Sequence, residues 1–164
     1  MTDNDETMTL LHYLDAQRDS VVAILDGLDD NQLNTPAVAS GWTPLGLVAH
    51  LCGAEHLWLH HVLAGSAGNL PPWPLDGPYS PFTVRAQTAD VVDFYRKQAA
   101  ISDQNVVVAD LAAPPRVAPP PELAEYAPDG RSVVLHMIEE TARHAGHLDI
   151  VRELIDGRTG LGPR

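Results

Sequence analysis

The stretch HMIEETARHAGHLD, residues 136–149, puts three imidazoles and three carboxylates into a segment whose apolar rhythm is that of a buried helix. Residues four apart on a helix share a face, one turn above the other. Glu140 and His144 have that spacing, and His144 falls on the stripe of Met137, Thr141, Leu148, Val151 and Ile155. A carboxylate turned toward a core is costly unless it is paired or holds a metal. Far upstream, a second helical segment offers His50, with Gly46 and Gly53 a turn either side leaving room around it. Two imidazoles and one carboxylate from two helices make a facial set of three ligands. Such a set suits Zn²⁺, Ni²⁺ or Fe²⁺ and leaves positions open for water or substrate. Spacing alone does not rank the ligands. His136 lies four before Glu140 and His147 three after His144, and a surface ion pair or a satisfied core histidine has the same pattern.

The elements that must position these residues are legible as periodicity. Leu10, Leu14, Gln17, Val21, Ile24 and Leu28 form one stripe, with Asp15, Arg18, Asp19 and Asp26 lying off it. Leu45, Val48, Cys52, Leu59 and Val62 form a second, opened by the cap Thr43 and the first-turn Pro44 and ended by Gly65. Val92, Tyr95, Ala99 and Val106 mark a third over about Thr88–Val107, and the fourth runs from about Ser132 to Asp156 with Gly157 as its cap. Four amphipathic helices predict an all-α four-helix bundle, in one domain over residues 1–164. The connections between helices two and three (66–87) and three and four (110–130) are long and rich in proline. Proline at that density keeps out of helix interiors, so both segments are read chiefly as surface loops, with lids or pocket walls as the functional alternative. Connections this long can travel the length of a bundle, so the helices need not alternate strictly up and down.

Composition removes several functions. With 10 basic against 22 acidic residues the formal charge is −12, and no Lys/Arg cluster is present to neutralise phosphates, so nucleic acid is not an expected partner. Nothing approaches the roughly 18 uninterrupted apolar residues of a membrane span. The acidic start MTDNDETM lacks the layout of a secretion signal, and one cysteine, Cys52, fits a reducing compartment; the expectation is a cytoplasmic protein. There is no HExxH, no helical ExxH of the di-iron kind, no zinc-finger spacing and no glycine-rich phosphate loop.

GWTPLGLVAHLCGAEHLW (41–58) taken with HMIEETARHAGHLDIVRELIDG (136–157) resembles the DinB-like superfamily, and within it the actinobacterial branch related to mycothiol-dependent maleylpyruvate isomerase and mycothiol S-transferases. The likeness covers nearly the whole chain, including the helix order and both long connections. In that superfamily a histidine follows a Trp-Ser/Thr-Pro turn in the second helix; here these are His50 and Trp42-Thr43-Pro44. The fourth helix contributes two ligands four apart, the second leading into a small residue and glycine; here His144 precedes Ala145-Gly146 and Glu140 stands four earlier. Glutamate at that place matches the isomerase-like branch, where many DinB-like proteins carry histidine. The resemblance thus implies His50, Glu140 and His144 as metal ligands and leaves His136 and His147 outside the set, with roles open.

The activity implied by this resemblance is that of a metal-dependent transferase or isomerase. A divalent ion, zinc first with nickel or iron as alternatives, deprotonates a bound thiol, and thiolate is the useful nucleophile. The resemblance implies mycothiol as that thiol, attacking an electrophile or isomerising a double bond by addition and elimination. Cys52, on an apolar stripe, is read as a buried, inert thiol. Arg143 and Arg152 are candidates for holding a substrate carboxylate, against a solvated face or i,i+4 ion pairs, and Trp42 and Trp58 for lining a pocket, against core filling. Two other functions stay open: a non-catalytic, stress-linked metal or ligand-binding protein, and a metal hydrolase that activates water. A homodimer is also an expectation.

Overall fold

A computed structural model describes residues 3–66, 82, 84, 87–119 and 121–159. Among them every regular element is helical: α1 (Asp3–Leu25), α2 (Asp30–Asn34), α3 (Pro44–Glu55), α4 (Thr88–Val108) and α5 (Gly130–Asp156). Without a break α3 runs on as a π-helix over His56–Leu63, and a 3-10 helix occupies Pro121–Tyr126. The four long helices are those that periodicity predicts, so the all-α bundle stands. α2 and the 3-10 segment are additions too short to leave a periodic signal. No helix among the described residues is long and apolar enough to cross a membrane.

Helix boundaries follow local chemistry. Thr43 accepts the Gly46 N–H at 3.0 Å through Oγ1, and Pro44 occupies the first turn, where a missing N–H costs nothing. α5 starts two residues before the predicted Ser132, because Asp129 accepts from both the N–H and the hydroxyl of Ser132, at 2.8 and 2.7 Å. These bonds from Ser132 hold the Asp129 carboxyl below its ordinary range. Asp129→Ala is therefore expected to cost about 1 kcal/mol in denaturant unfolding. The carboxyl is depressed in the folded state, so its contribution is present above the unfolded pKa and fades as pH falls through the folded value. The wild-type and variant curves should converge in acid. Gly157 ends α5 in the left-handed conformation, at φ +76°.

Two apolar clusters fill the bundle. One gathers Val21, Ile24, Leu45, Val48, Leu51, Val91, Phe94 and Leu148; the other gathers Leu11, Leu14, Leu59, Val62, Val106, Val133 and Met137. Rising residue number leads from the second cluster to the first in α1 and α5, and from the first to the second in α3 and α4. So α1 lies parallel to α5, and α3 to α4, as the long connections allow. Both ends of the α1–α5 pair are tied: Arg131 clamps Glu6 with two bonds near their starts, and Arg152 reaches the carbonyls of Ile24 and Asp26 near their finishes. Arg152 is 1% exposed, and it satisfies carbonyls that the end of α1 leaves open. It is a helix cap and not a substrate clamp. Arg143 is exposed.

Between the clusters lies a buried polar layer: Arg18, Glu55, Gln98, Ser102 and Thr141, one or two residues from each long helix. Arg18 lies off the apolar stripe yet is only 5% exposed, with Nε and Nη2 donating to the two carboxylate oxygens of Glu55 at 2.7 and 2.8 Å. Nη1 donates to Asp15 and Asp103 at 2.6 Å each, so one guanidinium joins α1, α3 and α4. Burial alone would lower the Arg18 pKa, and the Glu55 and Asp103 carboxylates together more than reverse it.

The connection 66–87 lies outside the described residues except for Ser66, Phe82, Val84 and Gln87. The connection 110–130 is no free loop. Val117 donates to Val62 O, Gly130 to Ala113 O and Arg131 to Leu111 O, which ties it to the end of the π-helix and to the start of α5. Gly65, at φ +66°, makes the turn out of the π-helix; a Cβ there would sit 2.8 Å from Arg116 Cβ.

Candidate metal centre

Three donors converge from α3 and α5. His50 comes from the middle of α3, which Thr43 and Pro44 start in fixed register; Glu140 and His144 come from successive turns of α5. The Nε2 atoms of His50 and His144 lie 2.9 and 3.1 Å from the same oxygen, Oε1 of Glu140. One donor atom from each residue falls within 4.8 Å of the others. His144 is buried and the other two are half-buried. Bonds from His144 and then His50 hold the Glu140 carboxyl far below its ordinary range, against the upward push of burial. The cluster therefore offers a carboxylate and two imidazoles in one place, the donor chemistry of a divalent transition-metal site.

The surroundings hold the rings in position. Nδ1 of His147 lies 3.3 Å from Nδ1 of His144, so that one ring donates and the other accepts there. Burial first, then His144 and Arg143, depress the His147 pKa, which favours the neutral ring that such a bond requires. Trp42 packs against His147, its ring centroid 6.5 Å away. Phe82 covers His50 at 4.3 Å and reaches His144 at 6.0 Å. Its backbone has φ +68°, uncommon for a side chain of this size, and its carbonyl accepts the N–H of Thr43 at 3.0 Å. Nothing in the sequence singled out Phe82; it lies in the proline-rich connection, far from any helical pattern.

Next to the donors lies a cavity of about 520 Å³ lined by His50, Gly53, Ala54, Leu57, Trp58, Leu123, His136 and Glu140. It runs along the face of α3 and its π-helical extension, with Leu123 of the 3-10 helix as one wall. Trp58 both lines the cavity and fills the second apolar cluster, while Trp42 packs on the first cluster and on His147. His136 sits outside the donor cluster, against Trp58 at a ring separation of 4.5 Å. Spacing left His136 as a rival ligand; the cluster forms around His144 instead. Cys52 is buried in the first apolar cluster, and burial pushes its thiol well up, which keeps it protonated and inert.

No curated protein and no solved structure matches the chain. Residues 9–157 match the model of the family described as Mycothiol-S-transferase, a span that takes in nearly all of the bundle and every residue of the donor cluster and its cavity. The chain belongs to the mycothiol S-transferase family.

Proposed function

We propose that the protein is a metal-dependent thiol S-transferase in which His50, Glu140 and His144 hold one divalent ion, zinc, and in which mycothiol is the thiol. The observation that carries this reading is the convergence of two imidazole Nε2 atoms on one carboxylate oxygen at the mouth of a cavity, in a chain of this family. When bound, the ion lowers the pKa of a thiol beside it, so that thiolate is present at neutral pH.

The residues divide the remaining work. His50 and His144 must present Nε2 lone pairs, so each carries its proton on Nδ1. For His144 that N–H then donates to His147 Nδ1, which fixes the tautomer and turns the ring. Glu140 offsets part of the ion's charge and is ionised across the whole neutral range. Phe82 shields one side of His50, and Trp58, Leu57 and Leu123 give the neighbouring cavity apolar walls. Removing the outer partner with His147→Phe should weaken zinc affinity by about 10–100-fold while the fold persists, read by competition with a chromophoric chelator. Unchanged affinity would show that His147 does not orient His144.

The test of the reading as a whole combines elemental analysis with one assay run in parallel. Purified protein should carry about one divalent ion per chain. It should conjugate monobromobimane only when mycothiol is supplied. Turnover of ester substrates without thiol would instead make it a hydrolase, and metal without turnover of either kind a binding protein.

A further inference from the structure

The cavity beside the donors contains information about the second substrate. His50 and Glu140 form one end of it; one to two helical turns away, Leu57, Trp58, Leu123 and His136 form the other. Its volume is ample for a fused-ring ligand and falls within the usual range for small-molecule sites, roughly 300–1,000 Å³. Gly53 and Ala54 add little bulk to the α3 wall, and the space is a slot walled by α3 with its π-helical extension, by α5 and by the 3-10 helix. Among the described residues of the distal end the polar groups are the ring nitrogens of His136 and the indole N–H of Trp58, and these two rings already pack together. Among the described lining residues there is no Arg or Lys. Arg152, the buried guanidinium of α5, is committed to α1 carbonyls and Asp156. A substrate carboxylate at this end would lose part of its hydration and gain no cation from the described lining residues.

We propose that the slot takes a neutral, flat aryl group as the non-reacting part of the electrophile, with the reactive carbon toward His50 and Glu140. This rests on the transferase reading above. An aryl group gains contact with Leu57, Trp58 and Leu123, and an edge-on ring pair with Trp58 or His136 adds to the gain. For a naphthylmethyl bromide the step is a displacement. The thiol releases its proton, a sulfur lone pair forms the S–C bond, and the C–Br bond breaks with its electron pair leaving as bromide. The products are a thioether, bromide and a proton.

The test uses unreactive probes, so that it does not depend on turnover. Naphthalen-2-ylmethanol and its carboxylated relative, 6-(hydroxymethyl)-2-naphthoate, are titrated by calorimetry into the full-length, zinc-loaded protein. The alcohol is expected to bind about tenfold or more tightly than the carboxylate. Leu57→Trp and Leu123→Trp fill the slot from two different elements, the π-helix and the 3-10 helix, at half-buried positions. Each should weaken the alcohol by about tenfold or more with zinc content unchanged. Equal or tighter binding of the carboxylate, no binding of the alcohol, or two variants that both bind it like the wild type would overturn the proposal. Failure of the transferase reading looks different: the alcohol binds as expected, yet 2-(bromomethyl)naphthalene and mycothiol yield no enzyme-dependent thioether.

Discussion

His144→Ala is expected to leave the protein folded, without its metal, and slower in thiol transfer by about 10³-fold or more, since a Lewis acid that is lost takes several kcal/mol of charge stabilisation with it. The side chain is buried within the donor set, and its truncation removes no side chain from either apolar cluster, so the fold should persist. Glu140→Gln separates charge from shape. It keeps the volume and one acceptor oxygen but removes the anion that faces both rings. The same loss of zinc is expected, because two neutral imidazoles and an amide make a much poorer site for a divalent ion. Elemental analysis after dialysis and the mycothiol-dependent bimane assay are the two readouts. If His144→Ala keeps both metal and transfer, the ligand assignment is wrong, whatever the family.

Arg18→Met should be the most destabilising single change in the bundle, at about 3–5 kcal/mol, because it leaves the Glu55 carboxylate buried with no cation. Glu55 is 0% exposed and both of its oxygens are bonded to Arg18. For a chain of this size the melting temperature should fall by about 10 °C or more. The double variant Arg18→Met, Glu55→Leu tests the cause. With both charges gone the layer becomes apolar, and most of the loss should return, as it does when a buried pair is replaced as a unit. A double variant no more stable than the single one would mean that Arg18 contributes through packing, or through Asp15 and Asp103, and not through its pair with Glu55.

Much of the architecture was legible because it rests on local rules. Apolar spacing placed the four long helices, and Thr43, Pro44 and Gly157 marked where two of them begin or end, since capping and positive φ depend on neighbours a few residues away. The π-helix over His56–Leu63 was not legible. Apolar residues there satisfy an α-helical stripe, and the wider turn shows only in the backbone hydrogen bonding of the folded chain. The connection 110–130 looked like open loop because proline carries no donor; its anchoring comes from other residues, whose partners are distant in sequence.

By itself the sequence determined the helices, the acidic balance and a short set of chemically capable residues: His50, His136, Glu140, His144 and His147. Only the tertiary structure decided which of them meet. It set His50 against Glu140 across ninety positions, sent His136 to the cavity wall and turned His147 behind His144. It also drew Arg18 and Arg152 out of solvent into the interior. Periodicity reports which face of a helix is apolar, whereas the burial of a charge depends on a partner supplied by another helix, and no local pattern encodes that partner.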